Sequence, residues 1–135
     1  MSEEQTLSII KPDAVERNLA EDIKNIFLKN NLKIKEKKKI HITKDEAAEF
    51  YKVHQSKPFY NDLCAYLSSG PIVVLVLEGK NAVLANRELM GATNPKDAKE
   101  KTIRKLYGIS IDKNSVHGSD SVENAKKEIK FFFKN

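Results

Sequence analysis

The stretch Pro71-Ile72-Val73-Val74-Leu75-Val76-Leu77 is the longest apolar run in this chain of 135 residues. A strand with one exposed face alternates apolar and polar side chains, whereas a strand buried on both faces can be apolar throughout. The run is also far shorter than the roughly 20 residues that a helix needs to cross a bilayer. It therefore predicts a central, doubly buried strand over Ile72 to Leu77.

Periodic segments on either side of this strand predict the remaining elements. Before the central strand we expect a strand over Thr6 to Lys11 that Pro12 stops, a helix carrying Leu19, Ile23, Ile26 and Phe27, and a strand over Leu32 to Ile42. Two helices should then follow, one after the capping box Thr43-Lys44-Asp45-Glu46 and one over Tyr60 to Leu67. After the central strand we expect a helix over Asn81 to Met90, a strand over Ser115 to His117 and a helix over Val122 to Phe133. Leu32, Ile34, Ile40 and Ile42 share strand parity, and the segment after Gly91 is expected to be irregular.

The order of these elements is β-α-β-(α-α)-β-α-β-α. Without the inserted helix pair it is the split β-α-β arrangement. We therefore predict the α+β class, with a ferredoxin-like βαββαβ sandwich whose four-stranded antiparallel sheet is covered by helices on one face. A single domain over residues 1–135 is expected, because no linker, repeat or low-complexity block interrupts the chain.

The composition indicates an ordinary soluble protein, with 40% hydrophobic and 32% charged residues. The first five residues are polar and acidic, which does not resemble a signal peptide, and the single cysteine, Cys64, excludes an intrachain disulfide. We therefore expect a cytoplasmic protein that does not enter a membrane.

The net charge of +5 suits a polyanionic ligand, either a nucleotide or a nucleic acid. Much of the excess lies in Lys33, Lys35, Lys37, Lys38 and Lys39. No aromatic residue is interleaved with them to stack on bases, as single-strand binding usually requires. A solvated strand face is the favoured interpretation, and nucleic acid binding is not expected.

A histidine precedes a Gly-Ser-Asp-Ser run in the segment Asn114-Ser115-Val116-His117-Gly118-Ser119-Asp120-Ser121. Asp120 or Ser121 can cap the helix that follows, so His117 should lie just before a helix start, next to open backbone N–H groups. A neutral imidazole in that position could attack a phosphorus atom.

Glu128, on the flank of the following helix, is a candidate partner that would fix the ring angle and tautomer of His117. Ser119 could hold that carboxylate. An exposed histidine beside an ordinary helix cap is the alternative, and spacing alone does not decide between the two.

Phosphate binding would have to come from side chains, since neither a P-loop nor a Gly-x-Gly-x-x-Gly motif is present. Suitable donors occur at the ends of predicted elements: Lys11, Arg87, Thr93, Arg104 and Asn114. Arginine suits phosphate because its planar fork donates two hydrogen bonds at once.

Five segments occur in the order and spacing of the nucleoside diphosphate kinases, which the chain resembles from about Thr6 to Phe133. They are Ile10-Lys11-Pro12-Asp13-Ala14-Val15, Ser69-Gly70-Pro71, Gly91-Ala92-Thr93-Asn94-Pro95, Thr102-Ile103-Arg104 and His117-Gly118-Ser119-Asp120-Ser121. The short end after Phe133 is similar to the bacterial branch. The resemblance implies the same ferredoxin-like sheet.

The resemblance also implies a ping-pong reaction in which His117 takes the γ-phosphoryl group of a nucleoside triphosphate and passes it to a nucleoside diphosphate. Tyr51 and Glu128 would support the histidine. The resemblance implies that the phosphates and ribose of the nucleotide are bound by Lys11, Arg87, Thr93, Arg104 and Asn114. It implies that the base stacks on Phe59, with Leu63 and Ile111 beside it. Mg²⁺ would come bound to the nucleotide phosphates, and the protein would be a homo-oligomer, a tetramer or hexamer built from dimers.

Three residues, at two places in the chain, depart from the family pattern. Glu100-Lys101 stands where Pro-Gly is usual, and Leu106 stands where an aspartate is usual. They put the conformation of the 95–113 loop in question. A catalytically weak member that binds nucleic acid or acts in regulation is the alternative function, although no catalytic position is substituted.

Overall fold

The structure is a computed structural model that describes residues 4–111 and 113–133, with the side chain of Val53 left out. Its elements in order are β1 (Glu4–Ile10), α1 (Pro12–Glu16), α2 (Ala20–Lys29), β2 (Lys33–Ile40), α3 (Lys44–Phe50), α4 (Tyr60–Leu67), β3 (Ile72–Gly79), α5 (Ala82–Met90), α6 (Ile103–Tyr107), β4 (Val116–Gly118) and α7 (Val122–Phe132). Single 3₁₀ turns lie at Lys52–His54 and Pro95–Asp97. Within the described residues, no helix combines the length and apolar character needed to cross a membrane.

The four strands form one sheet in the order β2-β3-β1-β4, and every neighbouring pair is antiparallel. β3 lies between β2 and β1, so the apolar run over Ile72 to Leu77 is an inner strand, as predicted. The shortest strand, β4, lies at an edge and pairs with β1 through Ile9 and His117. The predicted α+β ferredoxin-like fold is confirmed.

Helices cover both faces of this sheet, so the expectation that they lie on one face was wrong. Val73, Leu75 and Leu77 of β3 pack in one core with residues of α1, α2, α5 and α6. Ile72 and Val74 point the other way, into a second core with residues of α3, α4 and α7. A strand that is apolar throughout requires apolar neighbours on both sides, and the inserted helix pair and the last helix supply the second layer.

A β-bulge in β2 corrects the predicted parity of that strand. The register with β3 shifts between Ile34 and Glu36. One extra residue reverses the side to which all later side chains point. Leu32 and Ile34 therefore belong to the first core, while Ile40 and Ile42 belong to the second.

The helix starts follow local capping chemistry, with two additions to the prediction. Thr43 forms the predicted capping box with Glu46, and Ser121 rather than Asp120 caps α7, accepting from Asn124 N. Pro12 not only ends β1 but also begins α1, a position that suits its fixed φ. The segment expected to be irregular contains α6, whose N-cap Thr102 accepts from Lys105 N.

Lys101, at the altered Glu100-Lys101 pair, has a φ of 70°. An L-residue in this left-handed region is strained by about 1–2 kcal/mol, whereas glycine is not. The glycine that is usual in the resembled family therefore suits this backbone better than lysine does.

We predict that Lys101→Gly raises the melting temperature by about 2–4 °C, because relief of strain outweighs the extra freedom of glycine in the unfolded chain. Differential scanning calorimetry measures the change. Lys105→Gly, in helix α6, is the matched control and should lower stability by about 1 kcal/mol. Equal losses for the two variants would show that residue 101 does not need this conformation.

Candidate active site

His117 occupies the middle of the edge strand β4, with its side chain 22% exposed. The strand ends at Gly118, and α7 begins at Val122 with Ser121 as its cap. A Cβ on Gly118 would come within 2.8 Å of Met90 Cε and still closer to Asn86 Nδ2. Glycine therefore follows the histidine because it lets α5 pack closely against this strand.

Glu128 of α7 contacts the histidine ring and is itself fixed by Ser119. Its Oε1 lies 3.2 Å from His117 Nε2 and accepts a hydrogen bond of 2.8 Å from Ser119 Oγ. Ser119 is fully buried, and its amide donates to Leu7 O of β1 at 3.2 Å. If Nε2 carries the proton that this network favours, Nδ1 keeps its lone pair, which is the state required of a nucleophile.

Two aromatic rings of α3 and its C-cap flank the imidazole. Phe50 meets it edge to face with centroids 5.3 Å apart, and Tyr51 does so at 6.4 Å. Burial, with smaller effects from Cys64 and Glu128, raises the pKa of the Tyr51 phenol, so its hydroxyl remains protonated. Sequence reasoning selected Tyr51 but not Phe50, although Phe50 lies on the same predicted helix face.

Lys11, Asn114 and Thr93 come together from three separate segments. Lys11 Nζ donates to Asn114 Oδ1 at 2.9 Å, and Asn114 Nδ2 donates to Thr93 O at 3.0 Å. Lys11 and Asn114 are buried, whereas Thr93 is exposed. The amide of Asn114 thus joins the end of β1 to the loop after α5.

Arg104 is buried beside the same loop and holds two main-chain carbonyls. Its Nη1 donates to Gly91 O at 3.0 Å and its Nη2 to Val116 O at 2.9 Å, next to His117. Burial, and then the charge of Arg87, lower the pKa of its guanidinium to about 10. Because the charges of Arg87 and Arg104 repel each other, a bound anion would reduce that repulsion.

The residues expected to contact the base are Phe59, Leu63 and Ile111. Phe59 is 45% exposed at the start of α4, one turn before Leu63, whose amide donates to Phe59 O at 3.0 Å. Its ring lies 6.2 Å from His54, which lies 6.1 Å from Tyr51. Ile111 is 54% exposed on the loop between α6 and β4.

Fold and geometry together define a ferredoxin-like α+β protein with a carboxylate-held histidine and a group of cations beside it. A family model described as nucleoside diphosphate kinase matches residues 4–135. The chain belongs to the nucleoside diphosphate kinase family.

Individual relatives agree over nearly the whole length. The nucleoside diphosphate kinases of a Nitratiruptor species and of Campylobacter lari are each 60% identical over 130 residues, which cover 96% of this chain and 95% of theirs. A crystal structure of the Aquifex aeolicus nucleoside diphosphate kinase matches with a TM-score of 0.96 and 39% identity, covering 99% of this chain and 97% of that one. The Encephalitozoon cuniculi enzyme matches with a TM-score of 0.94 and 39% identity, covering 98% and 90%.

Proposed function

We propose that this chain transfers the γ-phosphoryl group of a nucleoside triphosphate, such as ATP, to nucleoside diphosphates by a ping-pong mechanism through a phosphohistidine at His117. The observation that carries the proposal is the hydrogen bond from His117 Nε2 to a carboxylate that Ser119 also holds. Family membership supplies the reaction class, and this contact supports the choice of nucleophile.

In the first half-reaction Nδ1 of His117 forms a bond to the γ-phosphorus while the bond to the bridging oxygen breaks and the nucleoside diphosphate leaves. Nε2 keeps its proton, and Glu128 stabilises the positive charge that develops on the ring. In the second half-reaction a terminal oxygen of another nucleoside diphosphate forms a bond to the phosphorus while the Nδ1–P bond breaks. The electron pair of that bond returns to Nδ1, which restores the neutral imidazole. One site can therefore serve donor and acceptor in turn.

Phosphoryl transfer depends on in-line positioning and on charge around the equatorial oxygens. Lys11, Arg87 and Arg104 would supply positive charge, and Thr93 and Asn114 would donate to phosphate or ribose oxygens. Arg104 already donates to two carbonyls, so its contact with phosphate would use its remaining N–H groups. Tyr51 would support the ring and its phosphoryl group.

Mg²⁺ belongs to the proposal as a companion of the nucleotide. In the described part of the chain, no group of three or more His, Cys, Asp or Glu residues comes together to hold a metal ion. The phosphate oxygens would then provide the ligands, and the ion would supply further charge neutralisation at the β- and γ-phosphates.

A nucleic-acid-binding or regulatory protein without efficient transfer is not favoured. The lysines of β2 are mostly exposed, and Lys35 lies 3.7 Å from Glu78. The residues proposed for catalysis are all present, which a protein that had lost the reaction would not require. A cytoplasmic location is part of the proposal, because the only cysteine, Cys64, is buried as a free thiol.

We predict that His117→Ala abolishes transfer and removes the alkali-stable, acid-labile label left by radiolabelled ATP, while ADP still binds. The variant lacks the nucleophile but keeps Lys11, Arg104 and Asn114. His41→Ala is the matched control, because His41 is exposed and bonds Ser68 O on another part of the surface. Label retained by the His117 variant would assign the phosphorylated residue elsewhere.

We also predict low selectivity among bases. Stacking on Phe59 would contribute about 1–3 kcal/mol per base and is open to any base, since each has a π-face. Steady-state kcat/KM values for ADP, GDP, CDP and UDP should then fall within about two decades. A far stronger preference for one base would show that base edges are read.

Assembly into a tetramer or hexamer built from dimers also belongs to the proposal. The expectation of an open sheet face was wrong, because both faces are covered, but the edge strand β2 is still available for pairing. We expect light scattering at micromolar concentration to give the mass of a tetramer or hexamer. A monomer mass would contradict this prediction.

A further inference from the structure

Asp13, the acid of the Lys-Pro-Asp segment, takes no part in the transfer steps above, yet it is only 5% exposed. Ser115 Oγ donates to its Oδ2 at 2.9 Å, and Arg17 Nη2 donates to the same oxygen at 3.2 Å. The hydroxyl of Tyr66 donates to Oδ1. A carboxylate is costly to bury unless hydrogen bonds replace its water, and these three donors satisfy both oxygens.

Ser115, the residue bonded to Oδ2, has a strained backbone. Its φ is 75°, and Val116 N donates to Asn114 O at 2.9 Å across it. A bond from residue i+2 to residue i with positive φ between them is the rare, strained form of γ-turn. Such a conformation persists only where the surroundings hold it. Ser115 is fully buried, and its carbonyl also accepts from Lys11 N at 2.8 Å.

This γ-turn joins the two halves of the candidate active site. Before it, Asn114 binds Lys11 Nζ and Thr93 O. After it, Val116 O accepts from Arg104, and His117 follows beside Glu128. A change of φ at Ser115 would rotate the Asn114 amide relative to the His117 imidazole, because Ser115 lies between these two residues in the chain.

We propose that Asp13 is a positioning residue for phosphoryl transfer, which acts by holding the strained turn at Ser115 so that Asn114 and His117 face the same nucleotide. This inference rests on the proposed function. The side-chain hydrogen bonds of Asp13 go to Ser115, Arg17 and Tyr66, so its effect on His117 would pass through the Ser115 hydroxyl.

A purely structural role for Asp13 makes different predictions. The Asp13 carboxylate also accepts from Tyr66 of α4, and Arg17, which donates to the same carboxylate, donates to Tyr107 O of α6 at 2.5 Å. Loss of those links alone would lower the melting temperature without changing the transfer rate of the folded protein. The rate of the transfer step therefore separates the two roles.

Two single variants test which link matters, because each removes one hydroxyl that donates to Asp13. Ser115→Ala should slow phosphohistidine formation in single turnovers by roughly 10- to 100-fold, the loss expected when reacting groups are misplaced by up to an ångström. Tyr66→Phe, the matched control, should lower the melting temperature but leave that rate within a few-fold. Nucleotide Kd, measured alongside, should rise for Ser115→Ala, since Asn114 moves with the turn.

A double-mutant cycle tests whether Asp13 acts through Ser115. Glycine adopts positive φ without strain, so Ser115→Gly should keep more activity than Ser115→Ala. Asp13→Asn should slow the labelling of His117 by about tenfold in the wild-type background and much less in the Ser115→Gly background.

An equal effect of Asp13→Asn in both backgrounds would overturn the proposal, as would wild-type rates in folded Ser115→Ala. If Asp13→Asn does not fold, the comparison of Ser115→Ala with Tyr66→Phe decides the matter: equal loss of rate in those two variants would also overturn it. Normal labelling of the wild-type protein with no effect at Asp13 and Ser115 refutes this inference alone. Absence of label in the wild-type protein refutes the proposed function.

Discussion

The hydrogen bonds of Glu128 connect the last helix to the edge of the sheet, and the candidate active site depends on them. Glu128 Oε1 accepts a hydrogen bond from the Ser119 hydroxyl and also contacts His117 Nε2. A single carboxylate therefore fixes both the imidazole on β4 and the residue that follows the strand. Ser119 is in turn bonded to the main chain of Leu7 in β1. The orientation of the imidazole is thus tied to the inner part of the sheet, although β4 is only three residues long.

The second constraint is the apolar character of β3 on both faces. Because Val74 and Leu75 each need a covered side, the helices must form two layers, one of which carries α3, α4 and α7. That layer brings Tyr51 and Phe50 against the histidine and places Glu128 within reach of it. Burial of the sheet and assembly of the histidine's surroundings therefore have the same cause.

Strained backbone recurs in the described loops around the site, at Lys101 and Ser115. The two positions differ in what holds them. Ser115 is fully buried, with its hydroxyl bonded to a carboxylate, whereas Lys101 is exposed and bears a side chain that the conformation disfavours. Strain held by buried bonds can fix an active-site geometry, whereas strain on the surface chiefly reduces stability.

The sequence by itself determined the strand over Ile72 to Leu77, the capped helix after Thr43 and the family, because these follow from short-range periodicity, capping chemistry and motif spacing. It also selected His117 and Glu128 as partners. Only the tertiary structure decided the bulge after Ile34, the second helical layer, the contact of Phe50 with the imidazole and the bond between Asp13 and Ser115. Each of these features depends on which residues that are distant in the chain come into contact in the folded protein. Local sequence patterns do not specify such contacts.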